Sequence, residues 1–330
     1  MKVLRVGLIG LGMMGRNHAR VLANLPGVEF VGIVEPSMSA TDNSQIEGVE
    51  IFPDTKAMLR KQLDYCVIAA PTGLHSEIAI QVLQAGVSCL IEKPVATDLK
   101  SALKILEAAE AANLLVGVGH IERFNSAIQL LKRKLENNEL GELFQISTRR
   151  QGPFPARIGD VGVVRDLATH DIDLTIWLMG SGYKSLAAEV AHRSGRAHED
   201  LVAITARLES GVIVNNLVNW LSPLKERTVV VTGEKGAFVV NTLSSDLTYY
   251  ENGSHEVTQE SLAHFKGVML GDVTQFAFNK PEPLVVEHEN FRDRLLGKKS
   301  DVVTLVEGIE TVRIADAVLL SGSSGKSVEL

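Results

Sequence analysis

The stretch Val6-Gly-Leu-Ile-Gly10-Leu-Gly12-Met-Met-Gly15 constrains the fold more than any other part of this 330-residue chain. Val3–Ile9 is a short apolar run of strand character, residues 10–15 spell G-x-G-x-x-G, and Arg16–Ala23 has the composition of a helix. In a strand–turn–helix unit each glycine has a separate task. Gly10 permits the tight turn, Gly12 lets backbone approach a pyrophosphate, and Gly15 lets the helix pack on the strand. The helix N-terminus then presents unsatisfied N–H groups and a partial positive charge to the anion. A second run, Glu29–Val34, leads into Glu35, twenty residues after Gly15. That is the position from which a carboxylate accepts the hydroxyls of an adenosine ribose. Pro36, Ser37 and Met38 follow, with no cation to receive a 2′-phosphate, so the expected dinucleotide is NAD.

Strand and helix signals alternate from there. Ile51-Phe52 reads as a weak strand, Tyr65–Ala69 as a strand, and His75 to about Ala85 as a helix ended by Gly86. Val87–Ile91 is the next strand, Asp98 caps a helix running to about Ala112, and Leu114–Val118 is a further strand. This alternation predicts βαβ units in a doubly wound parallel sheet, whose ligands bind beyond the carboxyl ends of the strands. Ala70-Pro71-Thr72, Glu92-Lys93-Pro94 and Gly119-His120 fall at such ends and are expected to converge on the glycine turn. The candidate cofactor residues are therefore Gly10, Gly12, Met13, Met14, Gly15 and Glu35, with Pro71, Thr72, His75, Glu92, Lys93 and Pro94.

After a helix at about Ser126–Glu139 the pattern changes. Strand-like runs at Leu143–Thr148, Leu186–Ala191, Val202–Leu208, Val212–Leu217, Thr228–Thr232 and Phe238–Asn241 follow, with turns at Glu209-Ser210-Gly211 and Gly233-Glu-Lys-Gly236. Successive hairpins predict an open, mostly antiparallel sheet with Asp166–Met179 and helices near the C-terminus on one face. The expectation is an α/β chain: an N-terminal Rossmann domain at 1–122 and an α+β domain at 123–330. Helices at Val285–Leu296 and Val303–Leu320 close the chain and have the option of packing back on the first domain. An uncovered apolar sheet face is commonly buried by a second copy of itself, so a homodimer or homotetramer joined through strands in the 186–241 region is expected.

Composition excludes some partners. With 45% apolar and 22% charged residues the chain suits two globular domains. A net charge of −7 argues against nucleic acid or an anionic membrane surface as the main partner. No apolar run approaches a bilayer-spanning length and the N-terminus enters a strand directly, so neither a span nor a cleavable signal is expected, and the expected setting is cytoplasmic. Cys66 and Cys89 each lie in an apolar strand run and are expected as buried thiols rather than a redox or metal pair.

Asp166-Leu-Ala-Thr-His170-Asp-Ile-Asp173 falls on a helix that Gly180 ends, and spacing of i, i+4 and i+7 puts Asp166, His170 and Asp173 on one side. A polar stripe flanked by Leu167, Leu174 and Leu178 on one side and Ile172 and Ile176 on the other is not an ordinary solvent face. A histidine beside carboxylates is suited to moving the proton that accompanies hydride transfer. A buried structural network and a metal site remain alternatives, although no metal is expected. Lys93, fixed between a strand end and Pro94, is placed to sit beside a nicotinamide ring and polarise a carbonyl; a surface lysine before a proline turn is the alternative. Arg149, Arg150, Arg157 and Arg165 form a cationic group close in sequence to this helix. Guanidinium forks suit a diphosphate, and surface acids are their alternative partners.

Residues 10–15, Glu92-Lys93-Pro94 and Asp166-x-x-x-His170-x-x-Asp173 together resemble the glucose–fructose oxidoreductase / inositol dehydrogenase / rhizopine-catabolism family, across essentially the whole chain. The resemblance implies NAD(P)-dependent oxidation or reduction of a sugar or cyclitol hydroxyl. It makes Lys93, Asp166 and His170 the catalytic positions, with Glu92 and Pro94 shaping the nicotinamide pocket. Two departures stand out: Thr72 where the family often has Asn, and Val161-Gly-Val-Val-Arg165 where it often has a glycine-rich run. The segments 119–125 and 152–165 resemble a narrower branch, the UDP-N-acetylglucosamine 3-dehydrogenases. That resemblance implies a nucleotide sugar held by some of Arg123, Asn125, Arg157, Arg165 and Asp173. A free inositol or monosaccharide is the second substrate reading, and a dinucleotide-sensing regulator without turnover is a reading of another class.

Overall fold

The computed structural model describes residues 2–36, 49–154, 161–253 and 269–330. Its first elements are β1 (Leu4–Ile9), α1 (Met13–Leu22), β2 (Val28–Val34), β3 (Glu50–Phe52), α2 (Thr55–Leu59), β4 (Tyr65–Ile68), α3 (His75–Gln84), β5 (Ser88–Glu92), α4 (Leu99–Ala112) and β6 (Val116–Gly119). There follow α5 (Ser126–Glu136), β7 (Leu143–Pro153), α6 (Thr169–Met179), β8 (Tyr183–Ala191), β9 (Leu201–Leu208), β10 (Ile213–Asn219), β11 (Leu221–Gly233), β12 (Gly236–Asn241), β13 (Asp246–Gly253), β14 (Met269–Gln275), α7 (Pro283–Leu295), α8 (Leu305–Ser324) and β15 (Val328–Glu329). The chain divides into two compact units, 1–124 with 281–316 and 125–280 with 317–330.

In the first unit six strands pair in parallel, in the order β3-β2-β1-β4-β5-β6. Every residue of β4 and β5 is buried, which is why these strands read as apolar runs rather than alternating ones. On one face Leu4, Val6, Leu8, Tyr65, Val67 and Leu90 pack against Ala19 and Leu22 of α1 and Phe291 of α7. On the other, Ile9, Cys66, Ile68, Cys89 and Ile91 pack against α3, α4 and, from α8, Ile309 and Val312. Cys66 and Cys89 are paired across β4 and β5 as free thiols, and burial pushes both pKa values far up, as befits core residues. α7 thus completes a layer of the parallel sheet beside α1, so of the two placements that the sequence left for the C-terminal helices, packing back on the first domain is the one seen. Only the end of α8 belongs to the other unit, where Ser321 Oγ accepts the Ala188 N–H at 2.9 Å.

The second unit is built on a nine-stranded sheet, β14-β13-β12-β11-β7-β10-β9-β8-β15, in which only the β7–β10 pairing is parallel. Six of its strands match runs expected from sequence, β7 to β12; β13, β14 and β15 do not. β14 is almost wholly exposed, so burial imposed no apolar period on it. Ile146, Val202, Ile204, Val214, Val218, Val229, Val231, Phe238 and Val240 are buried, and α5 and α6 pack on this sheet. The residues between them, such as Ala203, Leu217, Val230 and Val239, are only half-buried.

Candidate active site

The glycine turn is built by steric exclusion. Gly10 has a φ of +94°, and a Cβ there would lie 2.7 Å from the backbone of Ala69 and Ala70 at the end of β4. A Cβ on Gly15 would overlap the Gly10 carbonyl oxygen. Gly12 is different: a Cβ there meets nothing within 4 Å. It is the N-cap residue of α1, yet no side chain caps the helix, so the first-turn N–H groups remain to be satisfied by an anion. The helix starts at Met13 rather than Arg16, which places Met13 and Met14 in that first turn. Half-buried Glu35, at the end of β2, accepts the Leu11 N–H at 2.8 Å and so holds its carboxylate against the turn. An open glycine, an uncapped helix and a tethered carboxylate fit the pyrophosphate and ribose of NAD.

The neighbouring strand ends are tied to one another. His75 is buried and places Nε2 2.9 Å from the Ala70 carbonyl and Nδ1 3.0 Å from that of Pro94, bridging the ends of β4 and β5. Burial lowers its pKa against the pull of those carbonyls and of Glu92. Pro71 is exposed and precedes a single 3₁₀ turn at Thr72–Leu74. The Lys93–Pro94 bond is cis, and Lys93 is half-buried. Glu92 is buried, with Oε1 2.8 Å from His18 Nε2 and Oε2 accepting the Lys93 N–H at 3.2 Å. Burial pushes its carboxyl up, but His18, Lys93 and His75 outweigh that and hold it below the usual range. His18 Nδ1 in turn lies 2.8 Å from Nε2 of His288 on α7. Sequence reasoning passed over His18 and His288. The available signal was the inward stripe of α1, where His18 shares a face with Gly15, Ala19 and Leu22.

In the second unit Asp166 is not on the α-helix predicted for it. Residues Val164–Ala168 form a π-helical turn, after which α6 runs from Thr169 to a left-handed stop at Gly180. The wider turn departs from the i, i+4, i+7 register, and such bulges recur at functional sites. The buried Glu199 fixes the start of the turn: its carbonyl accepts the Val163 N–H at 2.9 Å and its Oε1 the Val164 N–H at 3.0 Å. Asp166 and His170 are half-buried and Asp173 is fully buried.

Arg149 and Arg150, two of the clustered arginines, lie against carboxylates. Arg149 and Arg150 are adjacent on β7, so they point to opposite faces. Arg150 is buried and lies 3.1 and 3.0 Å from the two carboxylate oxygens of buried Asp171, a pair that sequence reasoning missed. Arg149 is near Glu226 at 3.8 Å. Arg123, expected to hold substrate, is buried and bonded to Glu307 at 2.6 Å. The Asn125 side chain caps α5 through the Ala127 N–H and donates to the Thr242 carbonyl and Ser245 Oγ. Both side chains are thus engaged by partners within the protein. Arg165 is half-buried in the π turn, and Arg157 lies outside the described residues. Among the described residues no group of three or more His, Cys, Asp or Glu is placed to hold a metal, and no helix is long and apolar enough to cross a membrane.

Comparison with known proteins identifies the family of the chain. The profile of the oxidoreductase family with an NAD-binding Rossmann fold (Gfo/Idh/MocA) matches residues 4–120, and that of the Gfo/Idh/MocA C-terminal domain matches residues 128–239. UDP-N-acetylglucosamine 3-dehydrogenase of Acidithiobacillus ferrooxidans is 29% identical over 77% of this chain and 79% of its own length. Its solved structure superposes with a TM-score of 0.84 at 26% identity, covering 98% of this chain and 99% of the other. Inositol 2-dehydrogenase 4 of Saccharopolyspora erythraea is 32% identical over 64% of this chain and 65% of its own length.

Proposed function

The chain belongs to the Gfo/Idh/MocA oxidoreductase family, and from that premise we propose that it oxidises a nucleotide sugar, UDP-N-acetylglucosamine at its C3 hydroxyl. At the coarser level it is an NAD-dependent enzyme that acts on sugar CH–OH groups. The observation that carries the finer reading is the likeness to the UDP-N-acetylglucosamine 3-dehydrogenase along nearly the full length of both chains.

Bound NAD supplies the acceptor for the hydride that leaves the sugar carbon. Gly10, Gly12 and the first turn of α1 hold its pyrophosphate, and Glu35 receives the ribose hydroxyls. His75 and Glu92 keep the ends of β4 and β5 in place around the nicotinamide. His170 takes the hydroxyl proton, Asp166 orients its imidazole, and Lys93 donates to the reacting oxygen. Arg165, with Arg157 and Asp173, is assigned to the substrate. Remote binding of the diphosphate would then position the sugar for transfer.

A second reading, oxidation of a free inositol or hexose, is favoured by the 32% identity to an inositol dehydrogenase and by the internal pairing of Arg150 and Arg123. NADH formation across UDP-sugars, dTDP-sugars, inositols and hexoses separates the two. Turnover confined to nucleotide sugars is expected; turnover of free cyclitols with inert nucleotide sugars would overturn the diphosphate assignment.

The half-buried face of the second sheet, with Ala203, Leu217, Val230 and Val239, supports assembly with a second copy of the chain as a dimer or tetramer. A monomer in sedimentation at micromolar concentration would rule this out. Free thiols at Cys66 and Cys89 are in keeping with a reducing, cytoplasmic setting.

A further inference from the structure

Three ionisable side chains without a part in the steps above, His18 on α1 and Glu287 and His288 on α7, are buried together with Glu92 at the end of β5. Placing such groups away from water is costly unless they are paired. Of these four, His288, His18 and Glu92 are joined in a linear chain. His288 Nε2 meets His18 Nδ1 at 2.8 Å, His18 Nε2 meets Glu92 Oε1 at 2.8 Å, and Glu92 Oε2 accepts the Lys93 N–H at 3.2 Å. Gly119 on β6 leaves the room this requires, since a Cβ there would lie 3.3 Å from the Glu92 carboxyl.

We propose that His18 and His288 are positioning residues for Lys93: through Glu92 they fix the Glu92-Lys93-Pro94 turn from α1 and α7. The inference rests on the assignment of Lys93 to the reacting oxygen, and extends it to two side chains that touch neither sugar nor nicotinamide in that scheme. Tautomers do not alter the logic. His18 gives its Nε2–H to the carboxylate, and its Nδ1 either accepts from His288 or donates to it. In both cases the ring is gripped at both nitrogens. A rigid carboxylate then holds the main chain of the residue whose side chain must reach the substrate. α7, which packs Phe291 on the parallel sheet, also brings the terminal histidine of this chain.

The test compares His288→Leu, which removes the ring and keeps an apolar filler, with His288→Gln, whose amide stands where Nε2 stood. Hydrogen–deuterium exchange of the peptide covering residues 90–98 reads the hold on the Lys93 N–H without any substrate. Faster exchange in the Leu variant, wild-type exchange in the Gln variant, and an unchanged control peptide in β4 are expected. Equal exchange at 90–98 in all three proteins overturns the proposal. With the sugar found by the substrate panel, the Leu variant is expected to lose about ten- to a hundredfold in kcat, with little change in KM for NAD. The Gln variant is expected to recover most of that loss. A loss that Gln does not recover, with melting temperatures lowered alike, overturns the proposal. A wild type inert toward every sugar, alongside the expected exchange pattern, counts against the substrate reading alone.

Discussion

The two halves of the proposed chemistry are encoded in different ways. The dinucleotide end of the first unit is written into backbone: three glycines within six residues, an uncapped helix and the ends of consecutive strands. The substrate end in the second unit depends on which side chain finds which partner across long sequence separations. Arg150 and Asp171 are 21 residues apart, and in the first unit Arg123 likewise pairs with Glu307, 184 residues away. Local geometry can be read from spacing, whereas the partner of an arginine cannot. Four arginines close together in sequence therefore suggested a diphosphate clamp, and Arg150 proved to be committed to a buried carboxylate.

The largest effects are expected at the side chains proposed for the chemical step. Lys93→Ala and His170→Ala are each expected to lower turnover by about two to four orders of magnitude while NAD affinity stays near wild type. Calorimetry with NAD and steady-state rates check this together. Near-normal rates in both variants would remove the catalytic assignment from both units.

Next is the buried pair that engages Arg150 within the protein. Asp171→Ala removes the carboxylate that the buried Arg150 guanidinium faces, and breaking such a pair costs about 3–5 kcal/mol. A large drop in denaturation midpoint is expected. An unchanged midpoint with a raised KM for the sugar would return Arg150 to the substrate.

Gly12→Ala sets the cofactor half against its own scaffold. Its Cβ clashes with nothing in the protein, so the melting temperature is expected to hold while NAD binding weakens by at least about tenfold, or 1.4 kcal/mol. Gly15→Ala, which overlaps the Gly10 carbonyl, is expected to lower stability as well. Identical NAD affinity in Gly12→Ala would mean that no pyrophosphate comes close to this residue.

The sequence made most of this frame legible, for reasons that can be named. Asp98 caps α4 as its position implied, accepting the Ser101 N–H at 2.8 Å, and Gly180 stops α6. The strands β4, β5 and β6 were visible because full burial leaves a run of apolar residues. The exposed β14 left no such trace. Neither did the π turn at Asp166, since a single extra residue per turn is invisible to helical periodicity. His18 and His288 were hidden because a histidine on an inward face looks like any other core position until its partner, 270 residues away, is known.

The smallest effect concerns Glu287, whose two carboxyl oxygens are buried with no hydrogen-bond partner among the described residues. Burial, with the nearby Glu92 charge, raises its pKa well above the ordinary glutamate value. The folded protein therefore holds this proton to higher pH than the unfolded chain does. Stability from this group is present in acid and is lost as pH rises through the folded value. Glu287→Gln removes that loss, so its melting temperature is expected to gain a few degrees on wild type as pH rises, with the gain vanishing in acid. A difference independent of pH would show that the carboxyl is ionised in the fold.

Hydride transfer itself is tested most directly by isotope. UDP-N-acetylglucosamine carrying deuterium at C3, incubated with the protein and NAD, is expected to yield NADH that contains the deuterium, with no label released to water. Unlabelled NADH would place the reaction at another carbon, and no NADH from this or any other sugar would contradict the assignment of the chain as a sugar dehydrogenase.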